Sequence, residues 1–328
     1  MNKELNNRNE RPELAKSEII KAMPKICSDE AAAVEFFEEQ RWSGKPTCPH
    51  CKSEDVYKMT DRDGSRNKRF LWRCRGCAEQ YTVRIGSVYE ESRLPLRHWA
   101  YAFWRASTSK KGVSALEIKR QCQISYKSAL FLLHRIRLAM EPNPTDGGKF
   151  TGTIEVDETY VGGKVKNMHR SKIPSAVGPG GKGKAMVLGM VQREGKIHRR
   201  VIVDVSANTL KSAIRELVDT QARVITDEHR SYHGLDKEFA GGHKVIRHMH
   251  HEYVQGDVYT NTAESSFALI KRGLMGVYHA VSKKHLPRYL AEFDFRWNTR
   301  KLNDGERLVA AVKSAEGKRL LYSDAIAA

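Results

Sequence analysis

From Lys16 to Trp42 apolar residues recur at helical spacing, and Ser28-Asp29-Glu30 can cap a helix from Ala31 to Arg41 with Ala32, Val34, Phe36 and Phe37 as its apolar surface. The period then shortens. Val56 to Met59, Arg69 to Arg73 and Gln80 to Val83 read as strands, the first two joined through the charged turn Asp61 to Ser65. Helical spacing returns at Pro95 to Arg105, with Leu96, Trp99, Ala100, Phe103 and Trp104. Ser114 precedes a short helix from Ala115 to Gln121, and a turn from Cys122 to Ser125 leads into a longer helix from Tyr126 to about Met140. Ala129, Leu132, Leu133 and Ile136 form the stripe of that helix, and Ser125 is its expected N-cap. Glu141 to Gly148 is a linker by composition.

Beyond the linker the β period dominates. Strands are expected at Thr153 to Val161, Ala185 to Val191, His198 to Val205, Arg223 to Thr226 and Lys244 to Arg247. A helix from Leu210 to Leu217 divides the third strand from the fourth. Helices from Asn261, with Phe267, Ile270 and Leu274 inward, and from Lys284 to Asn298 close the region. The order strand-strand-strand-helix-strand-helix-strand-helix predicts an α/β domain with an RNase H-like mixed sheet. The expected organisation is an arm over 1–15, a helix and ribbon over 16–92, a two-helix reader over 93–141, a linker over 142–149, the α/β domain over 150–300 and a helical tail over 301–328 packed against that domain.

Charge narrows the partner. The 328 residues carry a formal net charge of +18 with a pI of about 9.6, which points to a polyanion, nucleic acid first and an anionic membrane second. There is no apolar run of about 18 residues and no apolar signal core at the N-terminus, so a cytoplasmic protein is expected. A reducing compartment argues against disulfides. Instead, Cys48-Pro-His-Cys51 and Cys74-Arg-Gly-Cys77, with 22 residues between them, have the spacing of a zinc ribbon. Four thiolates leave no open position, so one structural Zn²⁺ is expected. Cys27 and Cys122 stand apart as ordinary buried thiols.

The helices after Ser114 and Ser125 have a helix-turn-helix layout, with Tyr126, Lys127 and Ser128 where base edges would be touched. Lys110, Lys111, Lys119, Arg120, Arg135 and Arg137 make the region basic; a helical hairpin used for packing alone is the alternative. Residues 164–184 hold six Lys or Arg and no acid, among them Lys164, Lys166, Arg170 and Lys172, an arm suited to phosphate.

The acids carry the chemistry. Asp157 sits in the middle of an apolar strand, where a carboxylate is costly without a partner. The fourth strand ends at Asp227, and an RNase H-like order places it beside the first. Glu264, on the following helix, can complete the set, while Glu155 and Glu158 are expected to face away. Such a triad suits two Mg²⁺ (or Mn²⁺) ions about 3.5–4 Å apart, one activating the attacking oxygen and one stabilising the leaving oxygen. Lys271, two turns beyond Glu264, is expected with Arg272 to contact phosphate. His248, His250 and His251 read as a polar strand end facing DNA rather than as ligands, since Mg²⁺ favours oxygen.

Taken together, the two Cys knuckles, V-D-E-T-Y-V-G-G at 156–163, V-I-T-D at 224–227, N-T-A-E at 261–264, L-I-K-R-G-L-M-G-V-Y-H at 269–279 and K-H-L-P-R-Y-L-A-E-F-D-F-R-W-N at 284–298 resemble bacterial insertion-sequence transposases of the DDE type with an N-terminal zinc ribbon. The 36 residues between Asp227 and Glu264 fit that family's spacing. The resemblance implies metal-dependent cleavage at the element's terminal inverted repeats and attack of the freed 3′-hydroxyl on target DNA. It also implies end recognition by the ribbon and helix-turn-helix, and at least a dimer on DNA. The rival readings are a DNA-binding regulator with an inert C-terminal domain and another RNase H-like nuclease.

Overall fold

The computed structural model describes residues 18–142, 148–163, 169, 183–247 and 254–326. Helices α1 (Ile19–Ser28) and α2 (Glu30–Trp42) meet at Asp29, whose carboxylate accepts the N–H groups of Ala31 and Ala32 at 3.2 Å each. That capping satisfies donors the helix cannot satisfy itself. A three-stranded ribbon follows, β1 (Val56–Lys58), β2 (Trp72–Cys74) and β3 (Gln80–Tyr81), in antiparallel order β1-β2-β3. Glu38 of α2 holds the ribbon down: it pairs with Arg66 and accepts the Trp72 indole N–H at 2.7 Å.

Helices α3 (Leu96–Thr108), α4 (Ala115–Cys122) and α5 (Tyr126–Met140) complete the front half. Ser125 caps α5 as expected, accepting the Ser128 N–H at 3.0 Å, and Ser114 likewise caps α4, accepting the Glu117 N–H at 3.1 Å. Their apolar faces share one core with α1 and α2, built around Phe37, Tyr89, Trp99 and Phe103. Two residues of the expected basic face turn inward instead. Arg135 lies over the rings of Trp99 and Phe131 and donates to the Glu90 carbonyl, and Arg137 is 1 % exposed.

The second half is a five-stranded sheet of β4 (Thr153–Val161), β5 (Ala185–Gln192), β6 (Ile197–Ile202), β7 (Arg223–Asp227) and β8 (His243–Ile246), in the order β6-β5-β4-β7-β8. β4 is antiparallel to β5 and parallel to β7, so the expected neighbours do lie side by side. Helix α6 (Ala207–Leu217) precedes β7, and α7 (Asn261–Gly273) and α8 (Leu286–Asn298) follow β8. The order differs from expectation between β7 and β8. Two 3-10 turns, Arg230–Tyr232 and Leu235–Lys237, cross there in place of a helix, because Gly234, at φ 88°, breaks the segment. Among the described residues no helix is long and apolar enough to cross a membrane.

The chain end corrects a second expectation. Helix α9 (Asp304–Lys313) buries Leu308, Val309, Ala311 and Val312 in the front core, against α2 and α3, rather than on the sheet. The two halves are therefore joined by the returning chain as well as by the linker.

They are also joined by a buried charge cluster. Arg137 of α5 donates to Glu292 of α8 at 2.6 Å, Arg296 pairs with the same carboxylate, and the Tyr278 hydroxyl donates to it at 2.6 Å. Burial alone pushes the Glu292 carboxyl up, but Arg296 and Arg137 outweigh it and hold it down to about 2, from an ordinary 4.5. A depressed carboxyl contributes stability above its unfolded value, and that stability is lost as pH falls from about 4.5 through about 2. Glu292→Ala leaves two guanidinium groups buried without their counter-charge and is expected to cost about 3–5 kcal/mol. Urea unfolding at pH 7 checks the cost. The difference from wild type should shrink across that acid window.

Candidate active site

The parallel register of β4 and β7 pairs Thr153 with Arg223, Ile154 with Val224 and Glu155 with Ile225. Continued for two residues, it sets Asp157 beside Asp227. One oxygen each from Asp157, Glu158 and Asp227 lies within 4.8 Å of the others, and all three residues are half-buried. Backbone amides orient the pair: Asp157 Oδ1 accepts the Glu158 N–H at 2.8 Å, and Asp227 Oδ1 accepts the His229 N–H at 3.0 Å. Carboxylates this close repel one another unless protonated or bridged by cations. Glu158 registers that strain. Burial pushes its carboxyl up to about 7, the Tyr232 hydroxyl pulls it down, and the charges of Asp227 and Asp157 add to the rise.

Neither flanking acid behaves as the sequence suggested. Glu158, one residue beyond Asp157 on β4, nevertheless brings a carboxylate oxygen within 4.8 Å of both aspartates, past the point where β7 ends at Asp227. Glu155, two residues before Asp157, is on the same face of the strand by alternation. It is fully buried and holds the start of α7. Its carboxylate accepts the Thr262 N–H at 2.9 Å, the Thr262 hydroxyl at 3.0 Å and the Ala263 N–H at 3.1 Å, and it pairs with Arg193 at 2.9 Å. A carboxylate from a distant strand thus caps α7, where the charge also suits the helix dipole.

Glu264 lies in the first turn of α7, exposed, and is not a member of the 4.8 Å cluster. Two anchors fix the helix that carries it. One is Glu155. The other is Phe267, whose ring packs on Gly189, the β5 residue directly opposite Asp157. A Cβ at Gly189 would stand 2.7 Å from Phe267 Cζ, so glycine is what lets α7 come this close to the sheet. Lys271 and Arg272 are exposed in the last turn of the same helix.

At the ribbon, Cys48, Cys51, Cys74 and Cys77 bring their sulfurs within 4.8 Å of one another, with Cys48 to Cys77 at 3.6 Å and Cys51 to Cys74 at 3.5 Å. A tetrahedral ion with bonds of about 2.3 Å needs sulfurs roughly 3.8 Å apart, so this set fits zinc. Elemental analysis of the purified chain is expected to find one zinc per chain, and Cys74→Ser to lower that content while leaving the Asp157 site intact. Tyr126 and Lys127 are exposed at the start of α5, and Ser128 is half-buried against the cap at Ser125. Lys164, Lys166, Arg170 and Lys172 lie outside the described residues, as do His248, His250 and His251.

A family model for the ISXO2-like transposase domain matches residues 149–298, and one for the transposase zinc-ribbon domain matches residues 28–80. A protein of Halobacterium salinarum described as an uncharacterized protein in transposable element ISH50 is 30 % identical over 286 residues, covering 83 % of this chain and 92 % of the relative. The chain belongs to the DDE-type insertion-sequence transposases that join a zinc ribbon to an RNase H-like domain. Among solved structures, a Mos1 strand transfer complex is 12 % identical at a TM-score of 0.23, covering 63 % of this chain and 78 % of that one. A pre-cleavage Mos1 transpososome is 13 % identical at 0.26, covering 95 % and 100 %.

Proposed function

We propose that the chain binds the terminal inverted repeats of its own element, cuts DNA strands there and joins the 3′-hydroxyl ends to target DNA. The carrying observation is the meeting of Asp157 and Asp227 through the β4–β7 register. Asp157, Asp227 and Glu264 would hold two divalent ions, Mg²⁺ or Mn²⁺, whose charge lowers the cost of forming the attacking oxygen and of expelling the leaving one. The protein's own part is placement. β4 and β7 hold two carboxylates in register, the Glu158 and His229 amides fix their rotamers, and Glu155 with Phe267 seats the helix that bears Glu264.

A second reading follows from the cluster itself. Glu158 replaces Glu264 as the third ligand, since its carboxylate already lies with the two aspartates. Cleavage of end DNA by Glu158→Gln and Glu264→Gln separates the two readings: the ligand's variant loses activity, and the bystander's keeps most of it.

DNA would be held by Tyr126, Lys127 and Ser128 at base edges, by Lys271 and Arg272 at phosphates beside the site, and by Lys164, Lys166, Arg170 and Lys172 along the backbone. Zn²⁺ would keep the ribbon folded. Two ends must be held together for transfer, so a homodimer or larger assembly on DNA is proposed, acting at the nucleoid in the bacterial cytoplasm.

A further inference from the structure

The ribbon and the helix bundle meet in an open cleft of about 310 Å³. Lys68, Arg69 and Arg84 line it from the ribbon side, Arg93 from the approach to α3 and Arg97 from its first turn, and Glu30 is the one acid among the described residues of its wall. Five cations thus face one carboxylate, a formal surplus of four.

That carboxylate is already committed. Glu30 accepts the N–H groups of Leu96 at 2.7 Å and Arg97 at 3.1 Å, capping α3, and lies 3.6 Å from Arg84 and 3.8 Å from Arg97. Lys68, Arg69 and Arg93 are exposed, and among the described residues no carboxylate lies within ion-pair distance of them. Like charges gathered in a concavity with low-dielectric walls repel one another and focus their field outward. A bound anion removes that cost.

We propose that this cleft seats the phosphate backbone of DNA, clamped between the ribbon and the start of α3. The proposal rests on the DNA-binding reading above and adds a place where the duplex is gripped. The lining chemistry suits phosphate: it offers Lys and Arg, and no Asn or Gln among the described residues to pair with adenine edges. The same cations can read guanine edges, and comparison of the two duplexes below separates that from backbone contact. Cations on both walls suit a phosphate strand lying along the cleft.

The test compares the full-length wild type with Arg69→Gln/Arg93→Gln and with a charge-matched control, Lys301→Gln/Lys313→Gln, whose residues are exposed and outside the cleft. Zinc content and thermal melting confirm that each variant is folded. Binding is measured by fluorescence anisotropy over a salt series, on a duplex from the sequence flanking the gene and on one of scrambled sequence. The slope of log affinity against log salt is expected to become shallower by about 2 in the cleft variant, about 0.9 per lost phosphate contact, equally on both duplexes, with little change in the control. An unchanged slope overturns the proposal, as does an equal loss in the control. A loss confined to the flanking duplex would mean base contacts and also overturns it. Absence of salt-dependent binding by the wild type to either duplex overturns the DNA-binding reading together with the cleft.

Discussion

Asp157→Asn and Asp227→Asn are each expected to lower cleavage of end DNA by about 10²–10³-fold or more, while affinity for the same DNA stays within about threefold. The size follows from what the pair does. Each carboxylate is a fixed charge in a half-buried site, and losing one fixed charge from a preorganised site costs about 10²–10³-fold or more. Asn keeps the shape and one oxygen, so folding is little affected. The Asp157 oxygen that accepts the Glu158 amide and the Asp227 oxygen that accepts the His229 amide both survive as carbonyls. Double replacement should lose little more than either single change, because residues acting as one unit are not additive. Single-turnover cleavage in Mg²⁺ and in Mn²⁺, with affinity measured in parallel, checks all three statements.

The second large effect is expected far from any reacting atom. Glu155→Ala removes the acceptor for the Thr262 and Ala263 amides and the Thr262 hydroxyl, and strips Arg193 of its buried carboxylate. Leaving the Thr262 and Ala263 amides without an acceptor costs about 1–3 kcal/mol each, and Arg193, part-exposed and still held by the Asp257 and Tyr259 carbonyls, adds less than a fully buried charge would. The start of α7 then loses its tie to β4, and a misplacement of about 1 Å can lower rate by about 10²-fold. Glu155→Gln keeps one carbonyl acceptor and should fall between wild type and Glu155→Ala in both respects. A positioning role predicts a lower cleavage rate at unchanged DNA affinity, with faster amide exchange at residues 261–264. If Glu155→Ala loses stability alone and the folded fraction cleaves at the wild-type rate, Glu155 supports the fold and has no part in placing Glu264.

What the sequence made legible was local. Cys knuckles, the serine cap at Ser125 and strand runs ending at an acid are patterns of a few adjacent residues. Setting Asp157 beside Asp227 took more than those runs: it came from the RNase H-like order of elements, which puts the first strand next to the fourth, as the β4–β7 pairing has it. What stayed hidden depends on contacts across the chain. Glu155 caps an amide 107 residues away, and Arg137 finds Glu292 at a separation of 155. Neither shows in a window of any useful length, so Arg137 read as part of a basic surface and the hold of Glu155 on α7 went unseen, although its two-residue offset from Asp157 already puts both on one face of β4. Helix α9 is a short amphipathic segment that either core could accept; the aromatic face of α3 took it. Glu158 was misplaced because alternation says which face a side chain leaves from and not where the end of a long side chain comes to lie.

The most direct measurement is strand transfer. Purified, zinc-loaded wild type is incubated with Mg²⁺, end-labelled duplexes from the sequence flanking the gene and an unlabelled target plasmid. Label is expected joined covalently to the plasmid, through the 3′ end of the transferred strand, with no such product from Asp157→Asn or Asp227→Asn. Joining that persists in both variants, or a folded wild type that binds the ends yet joins nothing in Mg²⁺ or Mn²⁺, would contradict that expectation.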